Sequence, residues 1–191
     1  MNREEPGMKE NSQGRVYQSI SNSDGITVVI WRNPPAGKYS LGEIAQGIEE
    51  TGELRRLAEQ RGKNGDFITR TGVTVDSSRD FYMYVDDSEG RLMICSRHLS
   101  DSDIKTVYLD LVHEMVHMFQ LDEGRNLFDR RHRYVNRPTE REAYRIAVAE
   151  GRKVGMTEAE LFEYLYVDWI SSSDHRKLAG YVGVRVPDDS G

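Results

Sequence analysis

Apolar positions along this chain change period several times, and each change marks an element. Ile26-Thr-Val-Val-Ile-Trp31 is dense in β-branched and aromatic residues and lies between the turn formers Asn22-Ser-Asp-Gly25 and Asn33-Pro-Pro-Ala-Gly37, which predicts a strand. The period then lengthens. Ile44, Ile48, Leu54, Leu57 and Ala58 follow helical spacing from Ser40-Leu-Gly-Glu43, itself spaced as a capping box, to Gly62 and Asn64-Gly65. Gly47 and Gly52 weaken the middle, so one helix with a soft centre and two short helices, the second capped by Thr51, both fit. Two short strands are predicted over 66–70 and 73–75. A hairpin follows, with Phe81-Tyr-Met-Tyr-Val85 and Arg91-Leu-Met-Ile-Cys-Ser96 flanking Asp86-Asp-Ser-Glu-Gly90. Cys95 falls inside the second arm as a small core residue rather than a nucleophile.

The second half reads as helical. Ser100-Asp-Ser-Asp103 offers N-cap groups and a negative first turn to a helix that runs through Gln120. Asp101 and Asp103 match the first two ligands of a calcium loop, but the required Gly and distal Glu are missing. A second helix starts near Pro138-Thr139 and continues through Ala143, Ile146, Ala147 and Val154, ending within 151–155. Thr157-Glu-Ala-Glu160 opens a third that runs to Ile170, and Ser171-Ser-Ser-Asp174 caps a short last helix stopping at Gly180. Residues 1–14 are polar and aperiodic, a disordered tail. Residues 15–191 then form one domain, α/β to about residue 121 and helical over 138–181.

The helix over 104–120 is where chemistry concentrates. His113-Glu-Met-Val-His117 has the HExxH pattern, and at about 100° per residue the two imidazoles stand one above the other, with Glu114 about a quarter turn away. Both imidazoles can reach one ion and the carboxylate can reach a water on it. Asp110, His113, Glu114, His117 and Gln120 make a single polar stripe on a helix otherwise built from Leu109, Leu111, Val112, Met115, Val116, Met118 and Phe119. A helix that apolar is buried, and buried charges need partners. A zinc ion in a cleft would supply one.

Composition narrows the setting. The 191 residues carry a net charge of −6, so no global basic field points to nucleic acid. One cysteine, an amino-terminal stretch without an apolar core and no apolar run of spanning length predict a cytoplasmic protein that is not in a membrane. Arg125, Arg130, Arg131, Arg133 and Arg137 crowd the 121–137 loop. They read either as a solvated surface paired with the excess carboxylates or as a cleft wall that grips a substrate carboxylate or backbone.

A catalytic zinc needs a third protein ligand and an open position for water. The metzincin continuation is excluded, because its Gly and His positions hold Gln120 and Glu123. Pro138-Thr-Glu-Arg-Glu-Ala-Tyr-Arg-Ile-Ala147 offers Glu140 and Glu142, which are about 200° apart on a helix and cannot both face the ion. Asp122 and Glu123 are further possibilities. Glu142 could instead turn back to Thr139 as a capping box.

With this pattern the chain resembles the gluzincins, particularly the small intracellular ones and the ImmA/IrrE-type metallopeptidases, over residues 92–149. In those families a strand leads into the HExxH helix, and a following helix carries Glu-x-Glu-Ala. The resemblance implies an α+β zincin-like fold: a small twisted mixed sheet backed by a helix, the HExxH helix under a cleft, and a helical carboxy-terminal half. It makes His113 and His117 ligands, Glu114 the catalytic base and Glu142, directly before Ala143, the third ligand. The Asn that usually follows that Ala is Tyr144 here.

The expected reaction is zinc-dependent hydrolysis of a peptide bond in a peptide or protein substrate. His132, Tyr134, Tyr144 and His175 are candidates to stabilise the oxyanion, and Asp110 to orient a ligand histidine. Two rival expectations are a regulatory protease with one protein target and a zinc-stabilised binding module without catalysis. An intact Glu114 speaks against the second, since a structural site has no use for a base.

Overall fold

A computed structural model describes residues 7–78 and 81–187, and its architecture is mixed α+β with two small sheets and several helices. In chain order the strands are β1 (Met8–Glu10), β2 (Val16–Ser21), β3 (Thr27–Trp31), β4 (Gly37–Ser40), β5 (Ala45–Gln46), β6 (Gly72–Asp76), β7 (Met83–Asp86) and β8 (Arg91–Cys95). The helices are α1 (Leu41–Ile44), α2 (Gly52–Gln60), α3 (Gly65–Thr69), α4 (Ser96–Asp101), α5 (Ile104–Asp122), α6 (Pro138–Lys153), α7 (Glu158–Tyr164) and α8 (Ser172–Val182).

One sheet is antiparallel, in the order β1-β2-β3-β5, and the other is mixed, in the order β4-β6-β8-β7 with β6 and β8 parallel. The mixed sheet and its β7–β8 hairpin answer the expectation from the 81–96 pattern; the antiparallel sheet adds a second layer that the pattern did not announce. Met8–Glu10 pairs with β2 as an exposed edge strand, so part of the stretch read as a tail is ordered, while residues 1–6 lie outside the described residues.

The segment over 40–62 takes the two-helix option. Glu43 accepts hydrogen bonds from the Ser40 backbone N–H and hydroxyl, closing the first turn of α1. Gly47 breaks the run with φ 85°, a left-handed backbone, and a Cβ there would lie 2.7 Å from the Thr27 carbonyl oxygen. That break lets β5 turn back onto β3 before α2 begins after Thr51. The strand expected over 66–70 is instead α3. Asn64 is extended, Gly65 starts the turn, and Ile68 is the buried residue while Phe67 stacks on Phe119 with ring centroids 4.8 Å apart. Three β-branched or aromatic residues in a row suggest a strand, but one buried position per turn suits a short helix docked on α5.

Helix α5 runs through the middle of the core, with Asp103 capping it through a 2.8 Å bond from the Lys105 N–H. It packs against α6, and Gly151 allows the close approach. A Cβ at that position would come within 2.7 Å of Leu161 Cδ2 and 3.0 Å of Leu109 Cδ2. Glu150, fully buried, ties three helices together: it accepts from Tyr108 Oη of α5 at 2.9 Å and from the Glu53 N–H at the start of α2 at 2.9 Å. Thr157 and Glu160 form the expected capping box on α7, which ends at Tyr164 rather than continuing to residue 170. Helix α8 starts after Ser171 and passes Gly180 to end at Gly183, left-handed at φ 72°. Among the described residues no helix is long and apolar enough to cross a membrane.

Candidate metal centre

The two histidines of α5 meet as their spacing requires. His113 Nε2 and His117 Nε2 are 3.0 Å apart, both buried, and Glu140 of α6 brings Oε2 to 3.4 Å from each nitrogen. Three donor atoms of the kind that bind metal ions thus form a triangle with edges of 3.0–3.4 Å. Four-coordinate zinc with ligands at about 2.0–2.1 Å has ligand–ligand edges of roughly 3.3–3.4 Å. The triangle therefore fits one face of such a polyhedron. Glu140 Oε2 is fully buried and makes no hydrogen bond, as expected for an oxygen whose partner is an ion.

Glu142 is not the carboxylate beside the imidazoles, contrary to the expectation drawn from the Glu-x-Glu-Ala pattern. Its side chain accepts from Arg61 at 2.7 Å, from Gln120 Nε2 at 2.9 Å and from Arg125. It does not cap α6 either, whose N-cap position is Arg137. The physical reason lies in the packing of α6. Counted by helical turns, Ala143, Ala147 and Gly151 form the small-residue stripe that faces the core, and Glu140 and Tyr144 lie on it while Glu142 falls to the side. That stripe is present in the sequence, and following it back by turns reaches Glu140. Asp122 and Glu123 are held elsewhere, by Lys63 at 2.7 Å and by Arg61 at 3.1 Å.

Hydrogen bonding around His117 fixes which nitrogen faces the centre. Gln120 Nε2 lies 3.0 Å from the Thr139 carbonyl and 2.9 Å from the Glu142 carboxylate, which can only accept, so the amide NH2 points to them. Gln120 Oε1, 2.7 Å from His117 Nδ1, must then accept from that nitrogen. In the neutral imidazole this leaves the lone pair on Nε2, directed at the triangle. The expectation that Asp110 orients a ligand histidine is not met: its Oδ2 accepts from His98 Nε2 at 2.7 Å, and Ser102 Oγ sits 2.8 Å from His98 Nδ1. His98 is a buried residue of the cleft wall that the sequence pattern passed over.

Glu114 is buried beside the triangle, and that burial pushes its pKa up to about 8, with the charges of Glu140 and Asp110 adding and His117 and the Val85 N–H opposing. Burial likewise lowers the pKa of His113. For His117 burial also acts downwards, but the facing Glu140 carboxylate outweighs it, with Glu114 and Gln120 adding, and brings the group to about 9. Burial raises Glu140, and the two imidazoles facing it reverse this, so its carboxyl is held well below the usual range. A protonated His117 therefore faces the Glu140 carboxylate.

The triangle opens into a cleft of about 1010 Å³, walled by β7, the 127–137 loop, and α7 with the segment after it. Tyr134 and Tyr144 line it, their hydroxyls 2.9 Å apart, and the Tyr144 ring packs edge-on to His113 at 4.3 Å between centroids. His132 is exposed beside Asp129 at 3.3 Å, and His175 is buried with Nε2 2.7 Å from the Phe162 carbonyl, so neither reaches the cleft. The arginine loop divides. Arg137 lines the cleft, 3.9 Å from Glu140 Oε1, and Arg125 holds Glu142, whereas Arg131 pairs with Asp129 at the surface. Cys95 is buried at the end of β8. Comparison with models of protein families, with curated proteins and with solved structures finds no match.

Proposed function

We propose that this chain is a zinc-dependent metallopeptidase of the zincin-like class, with His113, His117 and Glu140 as the metal ligands and Glu114 as the general base. The observation that carries the reading is the buried triangle of two imidazole nitrogens and one carboxylate oxygen, with a second carboxylate beside it and a cleft above it. Two imidazoles and a carboxylate are a donor set that suits zinc, and the tetrahedral edge lengths agree. A bound zinc ion would supply Lewis acidity to both a scissile carbonyl and an attacking water.

The remaining steps belong to the chain's own groups. Glu114 takes a proton from the attacking water and passes it to the leaving amine; burial raises its pKa above the usual carboxylate range, which makes its carboxylate a stronger base than an exposed one. Tyr134 and Tyr144 share one hydrogen bond between their hydroxyls, so one of the two protons is free to be donated to a developing oxyanion. Burial raises the pKa of both tyrosines, which keeps those protons in place. Strand β7 lies at the edge of its sheet beside the site, where an extended backbone can add to it.

The test compares Glu114→Gln with His117→Ala, using denatured casein as substrate and metal analysis as the second readout. Glu114→Gln should retain about one zinc per chain and lose hydrolysis by roughly 10²–10⁴-fold, while His117→Ala should lose both. A parent protein that holds no zinc, or a Glu114→Gln variant that loses it as His117→Ala does, would overturn the assignment.

A further inference from the structure

The mouth of the cleft differs from the rest of the surface. Among the described residues seven large hydrophobic side chains are exposed, and five of them, Tyr82, Tyr84, Phe128, Tyr166 and Trp169, line this one opening. Single exposed apolar residues need no explanation, but a cluster around a cleft marks a binding surface. These five come from three separate segments, at β7, in the 127–137 loop and after α7, so the fold gathers them.

The aromatic lining continues inwards. Trp169 on the rim packs edge-on to Tyr134 at 5.7 Å between centroids, Tyr134 to Tyr144 at 6.4 Å, and Tyr144 to His113 at 4.3 Å. A bulky apolar side chain entering at Trp169 would have ring faces and edges beside it all the way to the candidate metal centre.

Charge adds a second criterion. Seven carboxylate side chains line the cleft, Asp103, Asp110, Glu114, Glu140, Glu160, Glu163 and Asp168, against the cations Lys105 and Arg137. Lys105 is already paired with Glu160 at 3.3 Å, and Arg137 lies 3.9 Å from Glu140. Glu163 and Asp168, exposed on the same segment as Tyr166 and Trp169, have no ion pair among the described residues.

Backbone geometry adds the third. Among the described residues strand β7 pairs with β8 alone, so it is an edge strand beside the cleft to which an incoming strand can add. Large apolar side chains and an unpaired backbone are offered together most readily by an unfolded segment, since a folded protein buries most of both.

We propose that the cleft takes an unfolded protein segment as a strand added to β7, and that it selects segments in which large apolar side chains, aromatic above all, are accompanied by lysine or arginine. This rests on the peptidase reading of the same site, and the experiment separates the two. Fluorescein-labelled peptides of equal length are titrated into zinc-loaded Glu114→Gln, with binding read by anisotropy, in four sequences: aromatic and basic, aromatic and acidic, serine-rich and basic, serine-rich and acidic. The first should bind about tenfold more tightly than either single-feature peptide. Trp169→Ala in the same background should lower that affinity about tenfold, and Glu163→Gln with Asp168→Asn should narrow the preference for the aromatic and basic peptide over the aromatic and acidic one from about tenfold to about threefold. Equal affinity for all four peptides would overturn the proposal, as would a Trp169→Ala variant that binds like its parent. Cleavage of the same peptides by the unaltered protein is followed by mass spectrometry. Cuts beside aromatic residues in the basic peptide support the proposal, and equally fast cleavage of the serine-rich acidic peptide overturns it while leaving the peptidase reading intact. Selective binding with no cleavage of any peptide supports the recognition and removes the peptidase reading.

Discussion

Gln120 accepts a hydrogen bond from His117, with Oε1 2.7 Å from Nδ1, and the direction of that bond is imposed from outside the pair. Glu142 and the Thr139 carbonyl take both amide protons, and Arg61 and Arg125 hold Glu142 in turn. A chain of charge-assisted contacts from α2 and the 121–137 loop thus ends on the tautomer of one imidazole. Replacing Gln120 by Leu should weaken zinc binding by about 10–100-fold, measured by chelator competition. Nitrogen-15 spectra of the metal-free protein above pH 9 should show His117 protonated at Nδ1 in the parent and as a mixture of tautomers in the variant. An unchanged tautomer would mean that Gln120 only fills space.

Glu140 and Glu142 should therefore fail differently when removed. Glu140→Ala takes away a donor atom of the triangle, so zinc affinity should fall by orders of magnitude and the gain in Tm on adding zinc should vanish. Glu142→Ala leaves the triangle intact but frees the Gln120 amide to turn, so it should cost about 10–100-fold in affinity. It also leaves Arg61 and Arg125 sharing only Glu123, the more exposed of their two carboxylates, which should lower Tm even without metal. If Glu142→Ala strips zinc and Glu140→Ala does not, the placement of α6 described above is wrong.

The contrast between those two residues shows what the sequence made legible. His113, Glu114 and His117 sit on one helix, so their relation follows from helical geometry alone and needs no tertiary knowledge. The third donor depends on which way a second helix is turned. That rotation is set by contacts far along the chain, Gly151 against Leu109 and Leu161, and Glu150 against Tyr108 and the start of α2. The stripe of Ala143, Ala147 and Gly151 carried the information, but the pairing of Glu with Ala at 142–143 resembled a known pattern and outweighed it. The strand misread over 66–70 has a related cause. Local propensity favoured β, and packing of Phe67 on Phe119 with Ile68 buried decided for a helical turn. The antiparallel sheet was missed at β2, whose Val16–Ser21 pattern is only partly apolar because a single residue of that strand, Ile20, is buried.

Protons and metal should compete at the triangle. In the metal-free protein His117 has a folded pKa of about 9, above its ordinary value near 6.5. A raised pKa contributes stability that is fully present below about pH 6.5 and is lost as pH rises through about 9. Zinc needs the neutral imidazole, so binding at pH 7 should release the His117 proton, and with it the proton that Glu114 holds at a pKa of about 8, and its apparent affinity should rise with pH up to about 9. The Tm of the metal-free protein should accordingly fall between pH 6.5 and 9 while the gain on adding zinc grows. Calorimetric titrations in buffers of different ionisation enthalpy give the proton count directly. Zinc binding that releases no proton at pH 7 would show that His117 is already neutral.

The approach of α5, α6 and α7 at Gly151 can be tested through its neighbours. Alanine there would gain up to about 1 kcal/mol of helix propensity, but its Cβ would meet Leu161 Cδ2 at 2.7 Å and Leu109 Cδ2 at 3.0 Å in a packed core. Overpacking of that kind costs about 1–3 kcal/mol, so Gly151→Ala should be destabilising overall despite the better helix former. Leu161→Ala alone leaves a cavity and should cost about 2–5 kcal/mol. Together the two changes should cost less than their sum, because the new methyl occupies space that the leucine vacates, and a coupling of about 0.5–3 kcal/mol is expected for residues in direct contact. Strict additivity in denaturant unfolding would place the two side chains out of contact. Zinc affinity supplies the functional readout. Helix α6 carries Glu140 three turns before Gly151, so a displacement of that helix should loosen the triangle, and removing Leu161 in the same chain should restore part of the lost affinity.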